Sequence, residues 1–317
     1  MRTHRIDAGP DTVHWGFFDA GLKPLLTIES GDEVTMSTVS GPPEAMPKTD
    51  SGLKIPPPLS AIHSSVSQRL GPHIMTGPVA VRGAGPGDML ALRLVSVTPD
   101  DWGWTVAPTI PDSPVARRLG LTEAEPAWLL WEIDAGAGKA TANERFTRPL
   151  APFLGVMGVA PAAPGEHSTV PPRAEAGGNI DCKELTAGST LYLPVAVPGA
   201  LLYLGDGHGA QGDGEACGTA IECPMTTEAV VDLAPGRPLA SVHAETPAGR
   251  VTFGFSGDLN EAMGDALDAM ITWMAAIFGI SRAEALALAS NCVDLRITQV
   301  ANVTWGVHAL LPAGLLS

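Results

Sequence analysis

Along the first three-quarters of the chain, apolar residues come in short runs that alternate with polar or small ones. Leu90, Leu92 and Leu94 are separated by Ala91 and Arg93, the period of a strand with one buried face. Leu25–Ser37 (LLTIESGDEVTMS), Val79–Val97 (VAVRGAGPGDMLALRLVSV) and Leu185–Leu204 (LTAGSTLYLPVAVPGALLYL) share this texture, broken by Gly-Asp, Pro-Gly or Gly-Ser turns. They predict β-strands joined by tight turns. Two stretches depart from it. Gly41–Pro58 is rich in Pro and Gly, and Thr98–Arg148 carries Trp102, Trp104, Trp128 and Trp131 in irregular surroundings. Both read as long excursions from a β scaffold, of the kind that forms lids.

After Phe255 the period changes. In Asp258–Phe278 apolar residues return every three or four positions, which predicts an amphipathic helix. Asp258 with Glu261, and Ser281 with Glu284, have the three-residue spacing of N-terminal caps, and Gly279 suits the turn between two helices. Met263, Met270, Met274 and Trp273 read as core packing. Val293–Val300 and Val303–Leu310 return to a strand pattern. The predicted fold is mainly β, sandwich- or barrel-like, with a smaller C-terminal α+β part containing a helical hairpin. Residues 1–255 form the β-rich catalytic region, divisible into two intertwined β subdomains, and 256–317 the helical hairpin with closing strands.

Composition narrows the class. The 317 residues include 36 Gly and 29 Pro, a turn-rich content without a collagen-like period. Hydrophobic residues make up 45% and charged ones 17%, which argues against intrinsic disorder. With 19 Lys+Arg against 34 Asp+Glu, the net charge of −15 argues against a nucleic-acid partner. The N-terminus MRTHRIDAGPDTVHW has no apolar signal-like core, and Pro194, Pro198 and Gly199 break the most apolar stretch. No membrane association is expected. Cys182, Cys217, Cys223 and Cys292 show no CxxC spacing, as expected of reduced thiols in a cytoplasmic protein.

Chemistry concentrates in three places. Gly205–Glu215 (GDGHGAQGDGE) directly follows the apolar run Ala200–Leu204. On extended backbone, Asp206 with His208 and Asp213 with Glu215 would each project to one face, placing four ligand-type side chains at a strand end. Spacing alone does not name the chemistry. Gly165–Lys183 holds Glu166, His167, Asn179 and Asp181 among prolines and glycines, and Gly71–Val81 places His73 before a strand. There is no GxSxG elbow and no phosphate-binding glycine loop. Cys217 follows an acidic cluster that disfavours its thiolate.

Three stretches together resemble the acetamidase/formamidase family: Gly71–Asp88, Leu154–Leu185 and Tyr192–Glu222, within a match running from His14-Trp15 to about Glu222. The family's GGN-x-D motif falls on Gly177, Gly178, Asn179 and Asp181. Its GD-x-H-x-x-QGDGE motif falls on Gly205, Asp206, His208 and Gln211 to Glu215. In the turn Gly83–Asp88, Gly85 stands where the family commonly has Glu, and Ala176 replaces the Asn that often precedes the double glycine. The resemblance implies a β-rich hydrolase of small aliphatic amides with a small pocket, often using a divalent metal, and by analogy a homo-oligomer, dimer or higher.

From this follows a working hypothesis. Asp181, Asp206 and His208 bind the metal, with His73 as a further ligand; zinc suits the donor set, and calcium is the alternative. Glu215 or Glu222 moves the proton, and Asn179 and Gln211 orient the amide. Two other readings compete: a noncatalytic β-sandwich with a structural calcium site, and an amidase whose nucleophile is Cys217.

Overall fold

The strand-period segments pair into two large sheets. The computed structural model describes residues 1–47, 50–52, 54–108 and 113–314. One sheet has nine strands, in the order Thr3–Ile6, Asp32–Thr38, Met225–Leu233, Met89–Pro99, Thr190–Pro194, His243–Thr246, Gly249–Ser256, Trp305–Pro312 and Asp294–Gln299. A six-stranded sheet runs Gly177–Asn179, Phe153–Val159, Leu202–His208, Ile74–Val81 and Val13–Trp15, with Leu26–Ile28 also pairing on Ile74–Val81.

The predicted alternation is what joins these sheets. Leu90, Leu92 and Leu94 are buried whereas Arg93 is exposed. They share one core with Leu191 of the same sheet and with Leu154, Met157, Leu202 and Leu204 of the other. Full burial of each such side chain contributes about 1.5–3 kcal/mol. The result is a β-sandwich whose six-stranded layer carries the polar motifs.

Thr98–Arg148 differs from the expectation of an irregular excursion. It forms strands Trp102–Ala107, Ala127–Asp134, Lys139–Ala142 and Phe146–Pro149, paired as a four-stranded antiparallel sheet, with a short helix Pro114–Leu119. Its tryptophans obscured the strand period because they serve both faces: Trp131 belongs to the main core, Trp102 and Trp104 to a second cluster. Gly41–Pro58 is irregular as expected where it is described, apart from a single turn at Pro43–Ala45 and the start of the helix Pro57–Ser65.

At the C-terminal end, helices Leu259–Phe278 and Arg282–Cys292 pack on the nine-stranded sheet and bend by 110° from one to the other. Ser281 and Glu284 form the reciprocal capping box, and Gly279 takes the left-handed conformation (φ 64°) that ends the first helix. Asp258 caps the first helix alone, because Glu261 accepts instead from Ser256 Oγ. No single helix among the described residues is long and apolar enough to cross a membrane. The expected boundary after residue 255 falls inside one continuous sheet, since Gly249–Ser256 pairs along its whole length with Trp305–Pro312.

Candidate active site

Four neighbouring strands of the six-stranded sheet deliver the polar motifs to one edge. Leu202–His208 runs antiparallel to Phe153–Val159 with Phe153 opposite His208, and Gly177–Asn179 runs antiparallel to the same strand with Asn179 opposite Val156. Ile74–Val81 starts on the other side of Leu202–His208, with Met75 opposite Gly205. Asp181, Asp206, His208 and His73 therefore meet at one end of the layer. Glu222 joins them because its backbone bridges both His208 and Trp104.

Asp206 and His208 share a face, as their spacing predicted: His208 Nε2 lies 3.3 Å from Asp206 Oδ2 and also 3.3 Å from Glu222 Oε1. Neither carboxylate is aligned for a hydrogen bond to that nitrogen. On the other side of the ring, Gln211 Oε1 lies 3.0 Å from His208 Nδ1, and Gln211 Nε2 donates to the Asp181 carbonyl at 2.6 Å. That arrangement makes Nδ1 the donor and leaves Nε2 facing the carboxylates. Gln211 is thus occupied behind His208 and does not face the cavity, contrary to its expected role on the substrate amide.

Asn179 does line the cavity. Its Nδ2 donates to the Val170 carbonyl at 3.1 Å, while its buried Oδ1 has no partner. His73 stands 3.9 Å from Asp206 through Nε2, with Nδ1 2.8 Å from Thr169 Oγ1. Glu222 is fixed at both oxygens, accepting from the Ala220 N–H at 2.8 Å and from Ser40 Oγ at 3.4 Å.

Asp213 departs from the expected convergence. Gly214 (φ 95°) and Glu215 (φ 42°) turn the backbone, so Glu215 enters the site while Asp213 points away. Asp213 pairs there with Arg296 and with Lys183 at 3.1 Å. His167 and Glu166 also lie outside the site: His167 Nε2 is 2.8 Å from the Ala163 carbonyl, and Glu166 pairs with Arg69. Cys217 donates to the Thr219 carbonyl and lines a separate cavity of about 130 Å³.

Three of the acids, Asp181 (φ 52°), Asp206 (φ 60°) and Glu215 (φ 42°), hold left-handed backbone that non-glycine residues rarely adopt. Such strain persists where the surroundings over-determine it, and here it falls on the acids that converge. Gly155, which the sequence reading missed, lies against them: a Cβ there would come within 2.5 Å of Asp206 Oδ2, 2.6 Å of Asp181 Oδ1 and 2.7 Å of His208 Cε1.

The electrostatics are those of a crowded acidic pocket. Asp181, Asp206, Glu215 and Glu222 are all buried, and among the described residues their ion pairs are with His208 and His73. Burial, reinforced by the neighbouring acids, pushes Asp181 and Glu215 well above the usual carboxylate range and raises Glu222. Burial opposes charge on Asp206 too, but His208 and His73 hold it low. His208 is raised because Glu222 and Asp206 outweigh its own desolvation, whereas burial lowers His73.

Unpaired buried carboxylates are costly unless protons or a cation neutralise them. The donor atoms of Asp181, Asp206 and His208 lie within 4.8 Å of one another, as do those of His208, Glu215 and Glu222. Both oxygens of Asp181 and Nε2 of His208 are buried without a hydrogen-bond partner. A carboxylate-imidazole set with orphaned donors facing one point fits a divalent cation.

The cluster opens into a cavity of about 530 Å³ lined by His73, Asn179, Asp181, Asp206, Glu215 and Glu222 on one side and by apolar side chains on the other. Of the four tryptophans in 98–148, Trp104 and Trp128 line it, and Trp15 joins them from the N-terminal region. The small pocket expected from the resemblance is not what the chain builds.

The sequence model of the Acetamidase/Formamidase family matches residues 22–167 and 162–315. An acetamidase of Mycolicibacterium smegmatis is 31% identical over 221 residues, covering 52% of this chain and 54% of its own. A formamidase of Methylophilus methylotrophus is 33% identical over 200 residues, covering 47% and 49%. The chain spans about half the length of the curated relatives it matches. The crystal structure of an acetamidase from Bacillus halodurans superposes with a TM-score of 0.80 at 28% identity, over 97% of both chains.

Proposed function

Because the chain belongs to the acetamidase/formamidase family, we propose that it hydrolyses the C–N bond of primary amides to a carboxylate and ammonia at the carboxylate-histidine cluster. The observation that carries this reading is the convergence of four buried carboxyls on the floor of one cavity, with His208 packed against them.

An amide is a weak electrophile with a poor leaving group, so the site must activate water, stabilise the developing oxyanion and protonate the departing nitrogen. Asp181, Asp206 and His208 would hold a divalent metal, zinc ahead of calcium, with His73 beside them. When bound, that ion supplies Lewis-acid polarisation of the carbonyl and acidifies water.

The remaining work belongs to the chain. Glu215, raised by burial and by Asp181, faces the cavity where it can take a proton from water and return it to the leaving nitrogen. Glu222 is the less mobile of the two candidates, since Ala220 and Ser40 hold both its oxygens, and it orients His208 electrostatically. Asn179 Oδ1 is an unpaired acceptor suited to the substrate's N–H, and it selects an amide over an ester, which has no such donor. Gln211 fixes the His208 tautomer from behind, as partners of metal-binding imidazoles do.

The test is a pair of substitutions. His208→Ala should lose bound metal and ammonia release together, while Glu215→Gln should keep the metal and lose turnover by ~10²–10⁴-fold. Normal turnover in Glu215→Gln would remove it as the proton carrier.

A further inference from the structure

The cavity is far larger than the amide group it must address. Acetamide displaces about three waters, roughly 90 Å³ at ~30 Å³ each, against about 530 Å³ here. The space beyond the acidic floor is walled by Trp15, Val39, Ile74, Trp104, Val106 and Trp128. Three polar side chains in the same wall are already committed to the protein, while the Trp104 Nε1–H is buried without a partner. Thr219 Oγ1 donates to the Val106 carbonyl and accepts from its N–H, Gln68 donates to the Gly71 carbonyl, and Asn302 accepts from the Thr304 N–H. They make no demand for a polar ligand there.

The wall is also held in register with the chemistry. Trp104 and Glu222 exchange both backbone hydrogen bonds at 2.8 Å, which ties the strand bearing the indole to the segment bearing the site carboxylate. Trp104 and Trp128 lie 5.7 Å apart, tilted by 45°, on paired strands where Val106 stands opposite Trp128. Trp15 is fixed from the far side by its Nε1–H on the Pro72 carbonyl at 2.9 Å. A short acyl group would leave this surface facing trapped water, whereas an aromatic one would displace the water and meet ring faces and edges.

Resting on the amidase reading above, we propose that this chain acts on primary amides with a bulky apolar, aromatic-bearing acyl group, of the size of phenylacetamide, in preference to formamide or acetamide. The amide end meets Asn179 and the acidic floor, and the ring occupies the tryptophan-lined end. Specificity then comes from the apolar wall, where each added methylene in a matched pocket is worth about tenfold or more in kcat/KM.

The experiment is ammonia release by the metal-loaded protein from acetamide, hexanamide and phenylacetamide. Phenylacetamide should exceed acetamide by at least ~100-fold in kcat/KM, with hexanamide between them. Trp128 is half-buried, and Trp128→Ala should lower the phenylacetamide-to-acetamide ratio at least ~10-fold, while Trp128→Phe should retain most of it. Acetamide turned over as well as phenylacetamide would overturn the acyl-size inference and leave the amidase reading standing. An unchanged ratio in folded Trp128→Ala would overturn the placement of the ring. No ammonia from any of the three would defeat the amidase reading, and this inference with it.

Discussion

A missing side chain at Gly155 is what lets Asp181, Asp206 and His208 meet. The added methyl of an alanine would collide with Asp206, Asp181 and His208 at once, and the first two are short side chains on strained backbone that have no room to retreat. Gly155→Ala should therefore lose metal and cut turnover by ~10²-fold or more, because a displacement of about 1 Å is enough at a reacting centre. Metal content and kcat read together check this; a fully metallated, active variant would show that the cluster is looser than its geometry. Asp181, Asp206, His208 and Glu215 were singled out because they stand in polar stretches rich in glycine, whereas Glu222 stands in an apolar one, at the end of the stretch that resembles the family. Gly155 was not singled out, because a glycine in an apolar strand carries no signal until its neighbours are known. Asp213 was misread for a related reason: the two-residue rule assumes extended backbone, and Gly214 breaks it.

Among the elements, the C-terminal strands do more than close a sheet. The Thr298 carbonyl accepts from the Gly214 N–H at 3.1 Å, and the Val300 N–H donates to the Gly214 carbonyl at 2.8 Å, so residues 298–300 clamp the turn that presents Glu215. Val300→Pro removes that donor. It should lower stability by about 0.5–1.5 kcal/mol and kcat about tenfold with metal retained, measured by thermal melts and steady-state kinetics. Full activity would mean that Glu215 is positioned without the clamp. Element types were readable from period: the alternating run around Leu92, the long helix after Asp258 and the capping box at Ser281 all formed as patterned. Strands of Thr98–Arg148 were hidden, because a sheet that packs on both faces does not alternate cleanly. Long-range clamps such as 298–300 on Gly214 leave no trace in local pattern.

For the whole molecule, two buried imidazoles outside the site set a pH limit. Burial holds His243 and His308 at about 4, below the ordinary value near ~6.5. Between those values the unfolded chain binds protons that the folded chain refuses, so stability is complete above ~6.5 and is lost as pH falls toward 4. Each contributes on the order of 3 kcal/mol. The change of melting temperature between pH 7 and pH 4.5 should carry a smaller acid-side loss in His308→Gln than in the parent; identical profiles would contradict the burial argument. The sandwich could be inferred from strand content, but which sheet carries the site could not, since that depends on pairings between strands far apart in sequence, such as that of Phe153 with His208.

The most direct test of the central claim is ammonia release from phenylacetamide and acetamide by the purified protein as isolated, after chelation, and after adding back Zn²⁺ or Ca²⁺. Release that chelation abolishes and one ion restores, with that ion absent from His208→Ala, is the predicted result. Amide turnover that survives complete metal removal, or a metallated and folded protein that releases no ammonia, would contradict it.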